Sequence, residues 1–211
     1  MNFSIMKQLK LCLFLCCVFM GQTVLADTIQ DMYNRSYQYE QAWDYGNAIK
    51  ALSEVQKEYP DTYTINYRLG WLYYLGKDYT RSLSHYDRAI NALPTSLDAL
   101  SGAAITLIAQ QKWPQSEERL RTLVKVDRYN FTGNMNLAYV LRMQKQFEKG
   151  QKIILKMLEL YPTNVVLLTE SAMNYVDSGN MSAALALFTD IGLLDPQNPT
   201  ANYYLIQASK K

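Results

Sequence analysis

Thiols and imidazoles are nearly missing from this chain. Its three cysteines, Cys12, Cys16 and Cys17, sit within the first 17 of 211 residues, and the one histidine is His85. Beyond that start no disulfide framework can form and no thiol nucleophile is on hand. A lone imidazole with neither cysteine nor acid at an interpretable spacing makes no metal site or catalytic pair, so His85 reads as a surface residue. There is no Gly-rich phosphate loop and no nucleophile elbow. Carboxylates such as Glu117 and Glu118 are scattered as on solvated helix faces. No enzyme, cofactor or metal site is therefore expected. Charge of one sign is lacking too: of 21 basic residues only Lys7 and Lys10 fall in the first 26, leaving 19 against 19 acidic ones. Such balance gives no footing for nucleic acid.

Residues 1–26 carry Lys7 and Lys10, an apolar run from Leu11 to Met20, and compact residues at Val24 and Ala26. The pattern is that of a secretory signal cleaved after Ala26, so the mature chain is expected to be periplasmic or otherwise exported. The run is shorter than the roughly 20 apolar residues of a membrane span, which counts against an uncleaved anchor. Leu15 and Cys16 precede the candidate lipidation cysteines where a small residue is wanted. Three triplets, beginning at Asn34, Asn130 and Asn180, match a glycosylation acceptor and are read as chance.

What the chain has in abundance is a 34-residue period. The segment from Tyr63 to Ser96 holds two helical patterns, Tyr67 to Leu75 and Leu83 to Leu93, separated by Gly76-Lys77-Asp78, a helix stop followed by a cap, and closed by Pro94. Prolines recur in the same register at Pro60, Pro162 and Pro196. In the eighth place of each unit stand Ser36, Gly70, Ala104, Ala138 and Ala172, and in the twentieth Ala48, Ser82, Ser116, Gly150 and Ala184. All are small, as two helices at their closest approach require. Large residues, among them Tyr39, Tyr86, Leu120, Ile154 and Phe188, fill the complementary places. A hairpin of this size cannot bury both faces alone, so copies must stack on either side.

These small, aromatic and proline positions resemble the tetratricopeptide repeat family, from about Ile29 to the C-terminus. The fourth place, where the family often has Trp, holds Met32, Asn66, Leu100, Asn134 and Leu168, and the family's alanine in the twenty-seventh place occurs only at Ala89. The resemblance implies an all-α solenoid, a right-handed superhelix of five units, 29–62, 63–96, 97–130, 131–164 and 165–198. Asn198-Pro199 then opens a sixth, capping helix over 199–209 that covers the apolar stretch Ala183 to Leu187. Residues 27–211 read as one domain with no linker.

In arrays of this kind the first helices line a concave groove that holds a segment of another protein. On a 3.6-residue period the side opposite the hairpin partner carries Tyr33 and Tyr37; Tyr67, Trp71 and Tyr74; Ile105 and Ile108; Met135, Tyr139 and Met143; and Met173 and Val176, with Tyr203 from the last helix. Arg68 and Arg142 lie among them as anchors for a polar group, with Asn34 and Asn136 as accessories; they are too separated to clamp a C-terminal carboxylate. Aromatic and Met side chains give large contact area at modest entropic cost, so the expected partner is an apolar or aromatic protein segment. The competing expectations are that these side chains only pack against the neighbouring first helix, and that the chain self-associates through Tyr203, Tyr204, Leu205 and Ile206.

Overall fold

The computed structural model describes residues 28–210; the expected signal segment lies outside the described residues. Twelve α-helices and no strand occur among those residues: α1 (Ile29–Gln41), α2 (Tyr45–Lys50), α3 (Ser53–Glu58), α4 (Tyr63–Leu75), α5 (Tyr79–Ala92), α6 (Leu97–Ala109), α7 (Trp113–Val126), α8 (Phe131–Met143), α9 (Phe147–Leu160), α10 (Val165–Asp177), α11 (Met181–Leu194) and α12 (Pro199–Ala208). The chain is an α-solenoid. None of the described helices is long and apolar enough to cross a membrane.

Eight of the twelve described helices start on a side-chain cap. The side-chain oxygens of Thr28, Ser96, Asn130, Asn164 and Asn198 accept from the first turn of α1, α6, α8, α10 and α12, and those of Asp44, Asp78 and Asn180 from α2, α5 and α11. Within each hairpin the turn residue is left-handed, at Trp43, Lys77, Gln111, Lys145 and Gly179. Only the last is glycine; Gly76 has an ordinary helical φ of −73°, and Lys77 takes the turn instead. In the first unit the second helix is not continuous: Leu52 N–H bonds to Ile49 O, one residue too close for an α-turn, and splits it into α2 and α3.

The small residues sit at the helix crossings. Ser82 Oγ donates to Gly70 O at 2.8 Å and Ser116 Oγ to Ala104 O at 3.0 Å, joining the twentieth place to the eighth across the hairpin. At Gly150 a Cβ would lie 3.1 Å from Ala138 O. Tyr86 Cε1 and Cζ come within 2.3 Å of where a Cβ on Gly102 would stand, so the ring of one unit fills the notch of the next.

First helices of successive units pack on one another, α4 on α6, α6 on α8 and α8 on α10, whereas second helices do not to a comparable extent. The first helices therefore form the inner side of the curve. At the far end α12 closes the stack on α11, with Ala201 buried and the Tyr204 ring stacked on Phe188 at 4.7 Å.

Candidate functional site

Helix α1 places Tyr33 and Tyr37 one turn apart, and α4 does the same with Tyr67 and Trp71. Because α1 and α4 are neighbouring first helices, the four rings face one open cavity of about 510 Å³, completed by Glu40, Gln41, Thr64 and Arg68. The α4 row extends in both directions: Tyr63 stacks on Tyr67 with centroids 5.7 Å apart, and Tyr74 on Trp71 at 5.8 Å.

Arg68 is only 5% exposed. Its Nη1 donates to Glu40 Oε2, its Nη2 donates to Ser36 Oγ at 3.1 Å, and its guanidinium carbon lies 3.8 Å from the Tyr37 ring centroid. Trp71 Nε1 donates to the other Glu40 oxygen at 2.7 Å. Glu40 thus ties both helices together and neutralises the arginine, while the indole keeps a face toward the cavity. One polar atom is left over: Arg68 Nε is buried without a hydrogen-bond partner among the described residues. Burial raises the phenol pKa values of Tyr33 and Tyr67, so both hydroxyls remain protonated and able to donate.

The remaining candidates are placed differently. Tyr74 also approaches Tyr79 at 5.9 Å. Ile108 and Tyr139 pack on the cluster around Ala104, Leu120 and Leu141; Met135 packs on the one around Ala138 and Ile154; Met173 and Val176 pack on the one around Ala172 and Phe188. Ile105 and Met143 are half-buried, and Tyr203 is exposed. Arg142 Nε and Nη2 donate to the two oxygens of Glu170 at 2.7 and 3.1 Å, and its Nη1 donates to Asp177 at 2.6 Å. Those carboxylates hold its pKa raised against the opposing, and largest, effect of burial. Both arginines thus direct donors at the adjacent unit. Of the accessories, Asn34 accepts from Gln30 and is exposed, and Asn136 is half-buried. Of the sequence candidates, Tyr33, Tyr37, Tyr67, Arg68 and Trp71 meet at the cavity, whereas Ile108, Met135, Tyr139, Met173 and Val176 pack on core clusters.

Sequence reasoning passed over Glu40, the residue that organises the cavity. It also misplaced His85, which is 7% exposed rather than on the surface. Its ring stacks on Tyr73 at 5.3 Å, and Nδ1 is 2.9 Å from Asn66 Oδ1. Because Asn66 Nδ2 donates to Pro60 O and Thr62 O, its oxygen must accept, which puts the proton of His85 on Nδ1. Burial, aided by Arg88 and Arg81, lowers the imidazole pKa to about 4. The fourth-place asparagines work alike: Asn134 ties Arg128 O and Asn130 O, and Asn202 ties Pro196 O, binding the loop between units. Among the described residues no group of three or more His, Cys, Asp or Glu is placed to hold a metal ion.

Residues 34–96 match the tetratricopeptide repeat family. No curated protein matches the chain in sequence. Among solved structures, residues 41 to the end of MamA from Desulfovibrio magneticus RS-1 superpose with a TM-score of 0.74 at 17% identity, over 82% of this chain and 98% of that one. YrrB, described as a tetratricopeptide repeat protein with an unusual peptide-binding site, gives 0.71 at 13% identity over 88% and 93%. TTC0263, a thermophilic tetratricopeptide repeat protein of Thermus thermophilus, gives 0.63 at 15% over 87% and 100%. At these identities the likeness is one of fold.

Proposed function

We propose that this tetratricopeptide repeat protein is an exported adaptor that holds an apolar or aromatic segment of a partner protein in the cavity between its first two units, within an envelope-assembly, secretion or surface-polymer system. The observation that carries the reading is the convergence of Tyr33, Tyr37, Tyr67 and Trp71, from two helices, on one open cavity on the inner side of the solenoid. Rings of this kind, already fixed by packing and by the Trp71 to Glu40 bond, offer contact area without a large ordering cost. The peptide-binding description attached to YrrB, a protein of the same fold, supports the same class of work. Export rests on the sequence of residues 1–26, and the mature protein is expected to begin at Asp27.

The test is in-cell photo-crosslinking from residue 37, followed by capture with the mature protein and with a Tyr33→Ala/Tyr37→Ala variant of unchanged helicity. Loss of capture by the variant is the expected result; equal capture removes the cavity from the function. Fractionation and the N-terminal sequence of the recovered protein check export.

A second reading, self-association, is favoured by the far end of the array. There Leu193 on α11 is 79% exposed, and Tyr203 and Ile206 on α12 are exposed too. Sedimentation over a wide concentration range decides it: a protein monomeric throughout excludes this reading, and a Tyr203→Lys/Ile206→Lys variant should abolish any association seen.

A further inference from the structure

The geometry points to a proline-rich, extended segment as the occupant of the aromatic cavity, an inference that rests on the groove reading above and names its partner class. Three observations select it. The first is the pair of phenols Tyr33 and Tyr67, which line the cavity from both helices and keep their hydroxyl protons. Such hydroxyls can donate to an occupant that offers free acceptors. A helical ligand has its carbonyls bonded within itself, whereas a polyproline II segment has no internal hydrogen bonds and presents every carbonyl outward.

The second observation is charge. Glu40 and Arg68 cancel each other, and the cation that stacks on Tyr37 is the protein's own guanidinium. An acidic segment finds no spare cation here, and a basic one finds the face of Tyr37 taken and the carboxylate shared between Arg68 and Trp71. The cavity favours an uncharged occupant.

The third is shape. Two parallel aromatic ridges, Tyr33/Tyr37 and Tyr67/Trp71, leave a trough between them rather than a closed pocket. Pyrrolidine rings lie flat against aromatic faces, and a segment already confined to the polyproline II form loses little entropy on docking. Tyr63 and Tyr74 stack on Tyr67 and Trp71 and so hold the α4 ridge in place from either end.

The probe is a fluorescein-labelled, end-blocked oligoproline of about nine residues, roughly 28 Å long in this form. Binding to the mature protein is followed by anisotropy beside a Leu/Ala helical peptide and an acidic peptide of the same length. Expected is saturable binding of oligoproline alone, weakened about tenfold or more by Tyr37→Ala and by the hydroxyl-only double variant Tyr33→Phe/Tyr67→Phe, which leaves the ring packing intact. Binding of oligoproline that neither variant changes overturns the assignment. Preferential binding of the helical or acidic peptide, lost in Tyr37→Ala, overturns the partner class and leaves the groove reading standing. If no probe binds, and crosslinking from residue 37 captures nothing while crosslinking from the outer residue 155 does, both fail together.

Discussion

Gly102→Ala should unfold the array more readily, although the substitution ordinarily stabilises a helix. Gly102 lies inside α6, where Ala gains about 1 kcal/mol over Gly from backbone entropy and propensity. Against that gain stands Tyr86, 1% exposed, whose Cε1 and Cζ would each be 2.3 Å from the new methyl and whose Oη would be 2.8 Å away. Carbon atoms rest about 3.5–4.0 Å apart, so the overlap exceeds an ångström at two ring atoms. The ring has little retreat, because within its own unit it packs so closely on Gly70 that a Cβ there would stand only 2.9 and 3.0 Å from its Cδ1 and Cγ. Overpacking of a fixed core typically costs about 1–3 kcal/mol, and this overlap calls for the upper end or beyond; after the helical gain the net loss is about 2–3 kcal/mol. For a chain of this size that lowers Tm by roughly 5–10 °C. Chemical and thermal denaturation followed by circular dichroism measure it. In a cycle with Tyr86→Leu the double variant should be no less stable than Tyr86→Leu alone, a coupling of about 2 kcal/mol or more. A higher Tm for Gly102→Ala, or simple additivity in the cycle, would refute the claim that this ring locks the second unit to the third.

Acid should weaken the second unit through His85. Its folded pKa of about 4 lies below the ordinary value of 6.5, so the unfolded chain binds the extra proton between those values and stability falls as pH drops through that window, by on the order of 3 kcal/mol in all; His85→Gln should flatten this part of the pH profile, and an imidazole NMR titration locates the pKa directly. Arg142→Met should cost about 3–5 kcal/mol because Glu170, almost as buried as its partner, is left facing Asp177 alone, and adding Glu170→Leu should recover much of it in urea denaturation. Lys145→Gly should stabilise by up to about 1 kcal/mol, since the residue is left-handed with φ of 58°, while Gly179→Ala, where a Cβ would meet nothing, should lose about as much; thermal melts of the pair isolate the backbone contribution.

The stacking was legible because it rests on side-chain volume at fixed places. Ser36, Gly70, Ala104 and their counterparts declare the crossings, and the prolines declare the period. The turn at Gly76-Lys77-Asp78 and its Asp78 cap were legible, but the left-handed residue was not, because Trp43, Lys77, Gln111 and Lys145 occupy a backbone state that glycine would advertise. Periodicity placed Tyr33, Tyr37, Tyr67 and Trp71 on one face, but it could not say that rings farther along would be absorbed into inter-unit clusters. That outcome depends on the distance between neighbouring first helices, which no single helix encodes. Glu40 left a trace that aligned units reveal: it holds the twelfth place of its unit and Arg68 the sixth of the next, while Arg142 and Glu170 hold the same two places with the signs exchanged. His85 was misread because its burial follows from Asn66, a residue noted only as a departure from the family pattern.

That exchange of signs gives the units an order. Were the second unit to follow the fourth, Arg68 would face Arg142; were the fifth to follow the first, Glu170 would face Glu40. In those two pairings, units alike in size and shape would meet like charge, much as coded connectors resist being joined in the wrong sequence.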